Sequence, residues 1–297
     1  MRVTQSMLSG NMLRNLSNSY SKMGELQNQI TTGKKVNRPS DDPVVAMKGI
    51  ALRSSLEKVE QFQRNLGEVH NLLDSSDDAL DKVGSAMQRV NELIVQASSD
   101  TSTNDDRKKI ESEIAQIRSH IQNIANTKVG DKYIFSGTTT TTPLFDGTGY
   151  PTGPTPDTDP LKKNIEIEIF DGVKMKVNTN GIDVFRDIDN MLGEITTKMK
   201  TGSASGSEYS TYLTKISDQM NVVLTSRADI GARQNRAELM DNRLDSQSVI
   251  ATKQMSENED IDYEKSITEM ITQESVHRAA LSVGAKIIQP SLADFIR

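Results

Sequence analysis

The stretch Leu66–Ala97, LGEVHNLLDSSDDALDKVGSAMQRVNELIVQA, decides the fold. Leu66, Val69, Leu73, Ser76, Leu80, Val83, Met87, Val90, Ile94 and Ala97 follow one another at alternating steps of three and four residues without a slip. That period keeps one narrow side of an α-helix apolar over many turns, which is coiled-coil spacing. Ser98 to Asn104 interrupts it, and a second row, Ile110, Ile114, Ile117, Ile121 and Ile124, follows a capping sequence at Thr103 to Asp106. The two rows predict an antiparallel helix pair.

Working outward, the polar turn Thr31 to Asp42 precedes Pro43. Asp42 is placed to cap a helix whose first residue is Pro43, a position where the missing N–H costs nothing. Upstream, Leu16, Tyr20, Met23, Leu26 and Ile30 form an amphipathic stripe, and at the other end Leu281, Ala285, Ile288, Leu292 and Phe295 form another. Between Gly130 and about Phe185 the composition shifts to Pro, Thr and aromatic residues. There Ile165, Ile167 and Ile169 alternate with Glu166, Glu168 and Phe170, and Asp171-Gly172 leads into Val173, Met175 and Val177, the pattern of a β-hairpin. Helical spacing returns with Ile188, Met191, Leu192 and Ile195, then with Leu213, Ile216, Met220, Val223 and Ile230.

The expected fold is therefore mainly α, with long terminal coiled-coil helices and an elongated helical bundle carrying a small β-rich inserted domain. Five segments are expected: 1–40, a coiled-coil segment pairing with 258–297; 41–130 and 186–257, the two parts of the bundle; 131–185, the insert; and 258–297 itself. Composition agrees, since 35% of the 297 residues are hydrophobic and 4% aromatic, with no Trp, too few for one large globular core.

Net charge is −6, and Lys and Arg are scattered, which argues against nucleic acid as a partner. No apolar run reaches the ~20 residues that span a bilayer, and Met1 to Ser6 lacks the apolar core of a secretory signal, so neither membrane insertion nor a cleavable leader is expected. Chemistry is not indicated either. There is no cysteine, and His70, His120 and His277 lie far apart without metal-ligand spacing. Asp74, Asp77, Asp78 and Asp81 read as a solvated helix face, because the glycine and terminal glutamate of a calcium loop are missing. Gly147, Gly149 and Gly153 read as turns rather than a phosphate loop. No catalytic residue, cofactor or metal is expected.

The ends carry a separate argument. Burying Leu281, Ile288, Leu292 and Phe295 contributes roughly 6–12 kcal/mol, at about 1.5–3 kcal/mol per side chain. Ordering the ~15 residues that carry them costs roughly 15–30 kcal/mol of backbone entropy. Two readings follow: the ends fold only against neighbouring copies, or they pair within one chain as a helical hairpin.

Three stretches resemble the flagellin superfamily: Ile30–Leu56, ITTGKKVNRPSDDPVVAMKGIALRSSL; Gln88–Ser99, QRVNELIVQASS; and Ile110–Gly137, IESEIAQIRSHIQNIANTKVGDKYIFSG. Tyr133-Ile134-Phe135-Ser136-Gly137 and the ending AKIIQPSLADFIR, Ala285–Arg297, are more similar to the hook-filament junction branch than to flagellin, with Pro290 as a departure. The resemblance implies a non-enzymatic extracellular part of the bacterial flagellum, exported through the flagellar type III secretion channel. It implies a ring-like homo-oligomer lying between hook-associated protein 1 and flagellin, and an export chaperone as a cytoplasmic partner. A minor flagellin, or a secreted adhesin displaying the insert, is the alternative. Leu16, Tyr20, Met23, Ile30, Leu281, Ile288, Leu292 and Phe295 are the expected assembly contacts. Gln88, Arg89, Leu93 and Glu113 match positions read by an innate immune receptor in related flagellins, or else form a subunit contact. Replacing Leu292 by Asp is expected to leave the monomer soluble and to block its incorporation into flagella, which immunogold labelling of the cell surface would check.

Overall fold

The computed structural model describes residues 5–99, 103–146, 160–201 and 206–288. In chain order these form α1 (Gln5–Thr32), α2 (Pro43–Ser98), α3 (Asn104–Ala125), β1 (Lys128–Val129), β2 (Lys132–Tyr133), β3 (Glu166–Phe170), β4 (Val173–Lys176), α4 (Gly181–Thr201), α5 (Gly206–Glu259) and α6 (Tyr263–Ile288), with a 3-10 turn at Pro160–Lys162. The fold is mainly α, as the spacing predicts. Two compact units divide it, one made of Met1–Lys58 with Gln247–Arg297 and the other of Val59–Ser246.

In the central unit every residue of the Leu66–Ala97 row is buried, Ser76 included. Ser76 is tolerated there because its hydroxyl donates to the Leu72 carbonyl one turn back, at 2.7 Å. The helix starts where the turn residues place it: the backbone N–H groups of Val44 and Val45 donate to the Asp42 carboxylate at 2.9 and 3.1 Å. At the head of α3 the Thr103 hydroxyl accepts from the Asp106 N–H, and Ile110, Ile114, Ile121 and Ile124 face inward.

Polar pairs at the rim give the directions of the helices. Arg89 with Glu113, and Arg107 with the Ala97 carbonyl, set α2 and α3 antiparallel. Glu194 with Lys215, and Tyr212 beneath Lys198, do so for α4 and α5. Gln63 with Asp245, and Asp77 with Arg227, do so for α2 and α5. The core between them is one continuous apolar cluster from Leu66 to Leu244.

Among the described residues of 131–185, the sheet is confined to short hairpins. β3 and β4 form the expected antiparallel hairpin, with Asp171-Gly172 at the turn and Ile169 and Met175 buried. The short β1–β2 hairpin precedes it and starts at Lys128, inside the stretch expected to be bundle. Gly181, near the end of the region, already opens α4. These segments pack on the helices: Phe135 lies edge-on to Phe185 of α4 at 4.9 Å, and Phe170 of β3 lies 6.0 Å from Phe62 of α2.

In the terminal unit α1 and α6 pair antiparallel within the one chain. Gln273 donates to the Ser19 hydroxyl at 3.0 Å, the Tyr20 ring lies 6.2 Å from His277, and Met12 lies against Gly284.

Leu80→Ala is expected to lower the unfolding free energy of the central unit by about 2–5 kcal/mol, since it deletes a fully buried side chain from a packed row. Urea denaturation monitored by circular dichroism checks this, and a loss well under that range would contradict the assignment of the row as the core.

Candidate assembly surfaces

Burial is divided very unequally between the two units. Among the described residues, Leu26 is the one large hydrophobic side chain buried in the terminal unit. Conversely, of the large hydrophobic side chains left exposed, all but Val95, Val222, Leu224 and Leu239 belong to the terminal unit. Exposed apolar side chains are ordinary when scattered, whereas a set of them gathered on one unit is a candidate contact surface.

The α1–α6 seam explains the imbalance. One row of less exposed positions on α1 runs through Met12, Leu16, Ser19, Met23, Leu26 and Ile30, and one on α6 through Ser266, Met270, Gln273, His277, Ala280 and Gly284, both at steps of four, three, four, three and four. The α6 side of the seam is polar or small except at Met270. Its larger apolar residues, Ile267, Ile271, Val276, Leu281 and Val283, are 44–59% exposed. On α1, Met7, Leu8, Leu13 and Tyr20 are likewise exposed, Tyr20 at 68%.

The residues expected as assembly contacts therefore separate. Leu16, Met23 and Ile30 are half-buried along the seam facing α6, because the three-and-four period that makes a helix amphipathic serves a partner in the same chain as readily as one in another. Tyr20 and Leu281 face outward. Ile288 closes α6, and Leu292 and Phe295 lie outside the described residues.

Of the second set, Gln88, Arg89 and Glu113 are exposed and Leu93 is 2% exposed, turned into the bundle core. Arg89 donates to Glu113 at 2.8 Å and to Glu92 at 2.9 Å, and the Glu113 hydrogen bond is the main cause holding its pKa above the usual guanidinium value.

Several polar sites escaped sequence reading because their partners lie far along the chain. Asp189, 5% exposed on α4, accepts from Arg118 Nε and Nη2 of α3 at 2.7 and 2.8 Å and from Gln122 at 2.7 Å. A buried carboxylate with three donors is a satisfied structural group, and the Asp189 bond raises the Arg118 pKa. The acidic row of α2 is not simply solvated. Asp77 and Asp81 bind Arg227 and Asp74 binds Gln234, all from α5, while Asp78 pairs with Lys82. Among the described residues no group of His, Cys, Asp and Glu could hold a metal ion, and no helix is long and apolar enough to cross a membrane.

Among the described residues the central unit thus supplies its own core and the terminal helix pair buries one large hydrophobic side chain. Residues 3–140 match the family model of the bacterial flagellin N-terminal helical region, and residues 213–296 match that of the C-terminal helical region. The chain belongs to the flagellin family, whose members are structural proteins of the flagellum rather than enzymes. It is 26% identical to flagellar hook-associated protein 3 of Escherichia coli (strain K12), covering 94% of this chain and 95% of that one. It is 25% identical to flagellin of Bacillus subtilis (strain 168), covering 97% of each. The crystal structure of the flagellar junction protein FlgL from Legionella pneumophila shares the fold with a TM-score of 0.55 at 14% identity, over 71% of this chain and 99% of that one.

Leu281→Asp is expected to change monomer stability by no more than about 0.5 kcal/mol, since the side chain is half exposed already. The same change is expected to abolish incorporation into flagella. Thermal melting of the monomer together with surface labelling of cells reads both, and wild-type incorporation would remove Leu281 from the assembly surface.

Proposed function

We propose that this chain is the junction protein between hook and filament, seated in a ring-like layer of copies of itself between hook-associated protein 1 and flagellin. The observation that carries the reading is the terminal unit: among the described residues its paired helices bury one large hydrophobic side chain, Leu26, and leave Met7, Leu8, Leu13, Tyr20, Ile267, Ile271 and Leu281 exposed. Burial of about 1.5–3 kcal/mol per covered side chain would make polymer contacts the natural completion of that unit. The exposed Tyr20 and Leu281, and the tail through Ile288, Leu292 and Phe295, are assigned to those contacts, with Leu16, Met23 and Ile30 behind them setting the α1–α6 pair. Gln88, Arg89 and Glu113 are assigned to a contact between neighbouring subunits, the alternative being recognition by an innate receptor. Export through the flagellar secretion channel, with a chaperone holding the carboxy-terminal helix, completes the proposal. The likeness to hook-associated protein 3 over nearly the whole chain supports a junction role.

A minor flagellin is the second reading, favoured by the similarity to the Bacillus subtilis flagellin over 97% of both chains. Deleting the gene in its motile host separates the two. A junction protein predicts hooks that carry no filaments and flagellin lost to the medium, seen by electron microscopy and immunoblotting. Filaments of normal length on the deletion strain would instead overturn the junction role and point to a minor flagellin or a displayed binding module.

A further inference from the structure

The α6 side of the α1–α6 seam is short of apolar contact, yet the register is definite, and the corner where α1 ends and α6 begins supplies a reason. Glu259 ends α5 and its side chain is 6% exposed. Its carboxylate accepts from Arg53 Nη2 of α2 at 2.6 and 2.7 Å, one bond to each oxygen, and from Lys34 Nζ at 2.8 Å. Around this centre the two chain corners bind each other as a miniature antiparallel ladder. The Lys35 N–H donates to the Glu259 carbonyl at 2.7 Å, the Ile261 N–H donates to the Gly33 carbonyl at 3.0 Å, and Lys34 bridges Asp260.

Two glycines permit this geometry. Gly33 sits at φ +73°, and a Cβ there would stand 2.8 Å from the Tyr263 hydroxyl. A Cβ on Gly49 would stand 2.1 Å from Glu259 Oε1, so only a bare backbone lets the carboxylate reach both cations. Beyond the corner the pairing continues in the same sense, with Ser19 meeting Gln273 and Met12 meeting Gly284. The corner is thus the first tooth of a zipper in which the apolar row of α1 meets a row on α6 that, Met270 apart, is polar or small.

We propose that the Glu259–Arg53–Lys34 corner is a charge latch that starts the pairing of α1 with α6 and fixes its register, so that opening it releases the two terminal helices from each other. The closed latch holds the outward apolar rows in one arrangement, and the open latch frees them. This holds whatever the chain assembles with. The charged and titratable groups around Glu259 are Arg53 from α2, Lys34, Lys35 and Arg38 from the turn after α1, Tyr263 from α6, and the neighbouring Glu257 and Asp260. The Arg53 hydrogen bond, with Lys34 behind it, holds the Glu259 carboxyl below its ordinary range. A depressed carboxylate contributes in full above its ordinary pKa and loses that contribution as pH falls through the lowered value, so the latch opens on the acid side and is screened by salt.

Amide hydrogen exchange on the full chain tests this, read as protection factors so that the intrinsic pH dependence cancels. Glu259→Gln is expected to cut protection at Lys35, Ile261 and the amides of α6 by roughly tenfold to a hundredfold, the range of one lost charged hydrogen bond. The amides of Val83 and Ile114 in the bundle should keep theirs. Gly49→Ala, which leaves every charge in place but crowds the carboxylate, should show the same pattern to a lesser degree. Wild-type protection in α6 should fall on acidification while that of Glu259→Gln stays flat. Should Glu259→Gln also lose protection at Val83 and Ile114, the wild-type acid response and Gly49→Ala decide. Unchanged α6 protection in Gly49→Ala together with a flat wild-type profile overturns the latch, as does unchanged protection in a folded Glu259→Gln.

Discussion

The row from Leu66 to Ala97 is the constraint on which the rest depends. A helix that stays apolar on one narrow side for nine turns cannot remain in water, and its period admits only neighbours running nearly alongside it. α3, α4 and α5 meet that requirement, and the β-hairpins are anchored to the bundle they build through Phe135 on Phe185 and Phe170 on Phe62. The insert is therefore an attachment to the bundle core, and its residues Ile169, Met175 and Val177 belong to the same apolar cluster as the helices.

The terminal unit obeys a different balance. With Leu26 as its one buried large hydrophobic among the described residues, it relies on hydrogen bonds, small residues and the charged corner at Glu259. Such contacts give register and direction at modest net stability, because each polar group exchanges water for a protein partner. Tyr20 and Leu281 are among the apolar side chains the unit leaves outside. The central unit carries its own apolar core, while the terminal pair is held by register-setting polar contacts.

Legibility in the sequence followed the range of the interaction. The start of α2 at Asp42-Pro43, the Thr103 cap of α3, the β3–β4 turn at Asp171-Gly172 and the buried rows of α2 and α3 were all readable, because each rests on residues within a turn or two of one another. The β1–β2 hairpin was missed, being two residues per strand with no room for alternation. Asp189 with Arg118, Asp77 with Arg227 and Glu259 with Lys34 were also missed, since their partners lie 71, 150 and 225 residues apart and charged residues carry no period.

What the sequence determined by itself was the class of structure: helices with one narrow apolar side, a β interruption, and amphipathic ends that call for a partner. Only the tertiary structure decided which partner each row received. Leu16, Met23 and Ile30 were drawn into the seam with α6, Leu93 into the bundle, and Tyr20 and Leu281 left outside. The physical reason is that periodicity specifies a face and leaves open what covers it. That choice depends on a backbone corner at Gly33, on the close approach that Gly49 permits, and on charges brought together from distant parts of the chain.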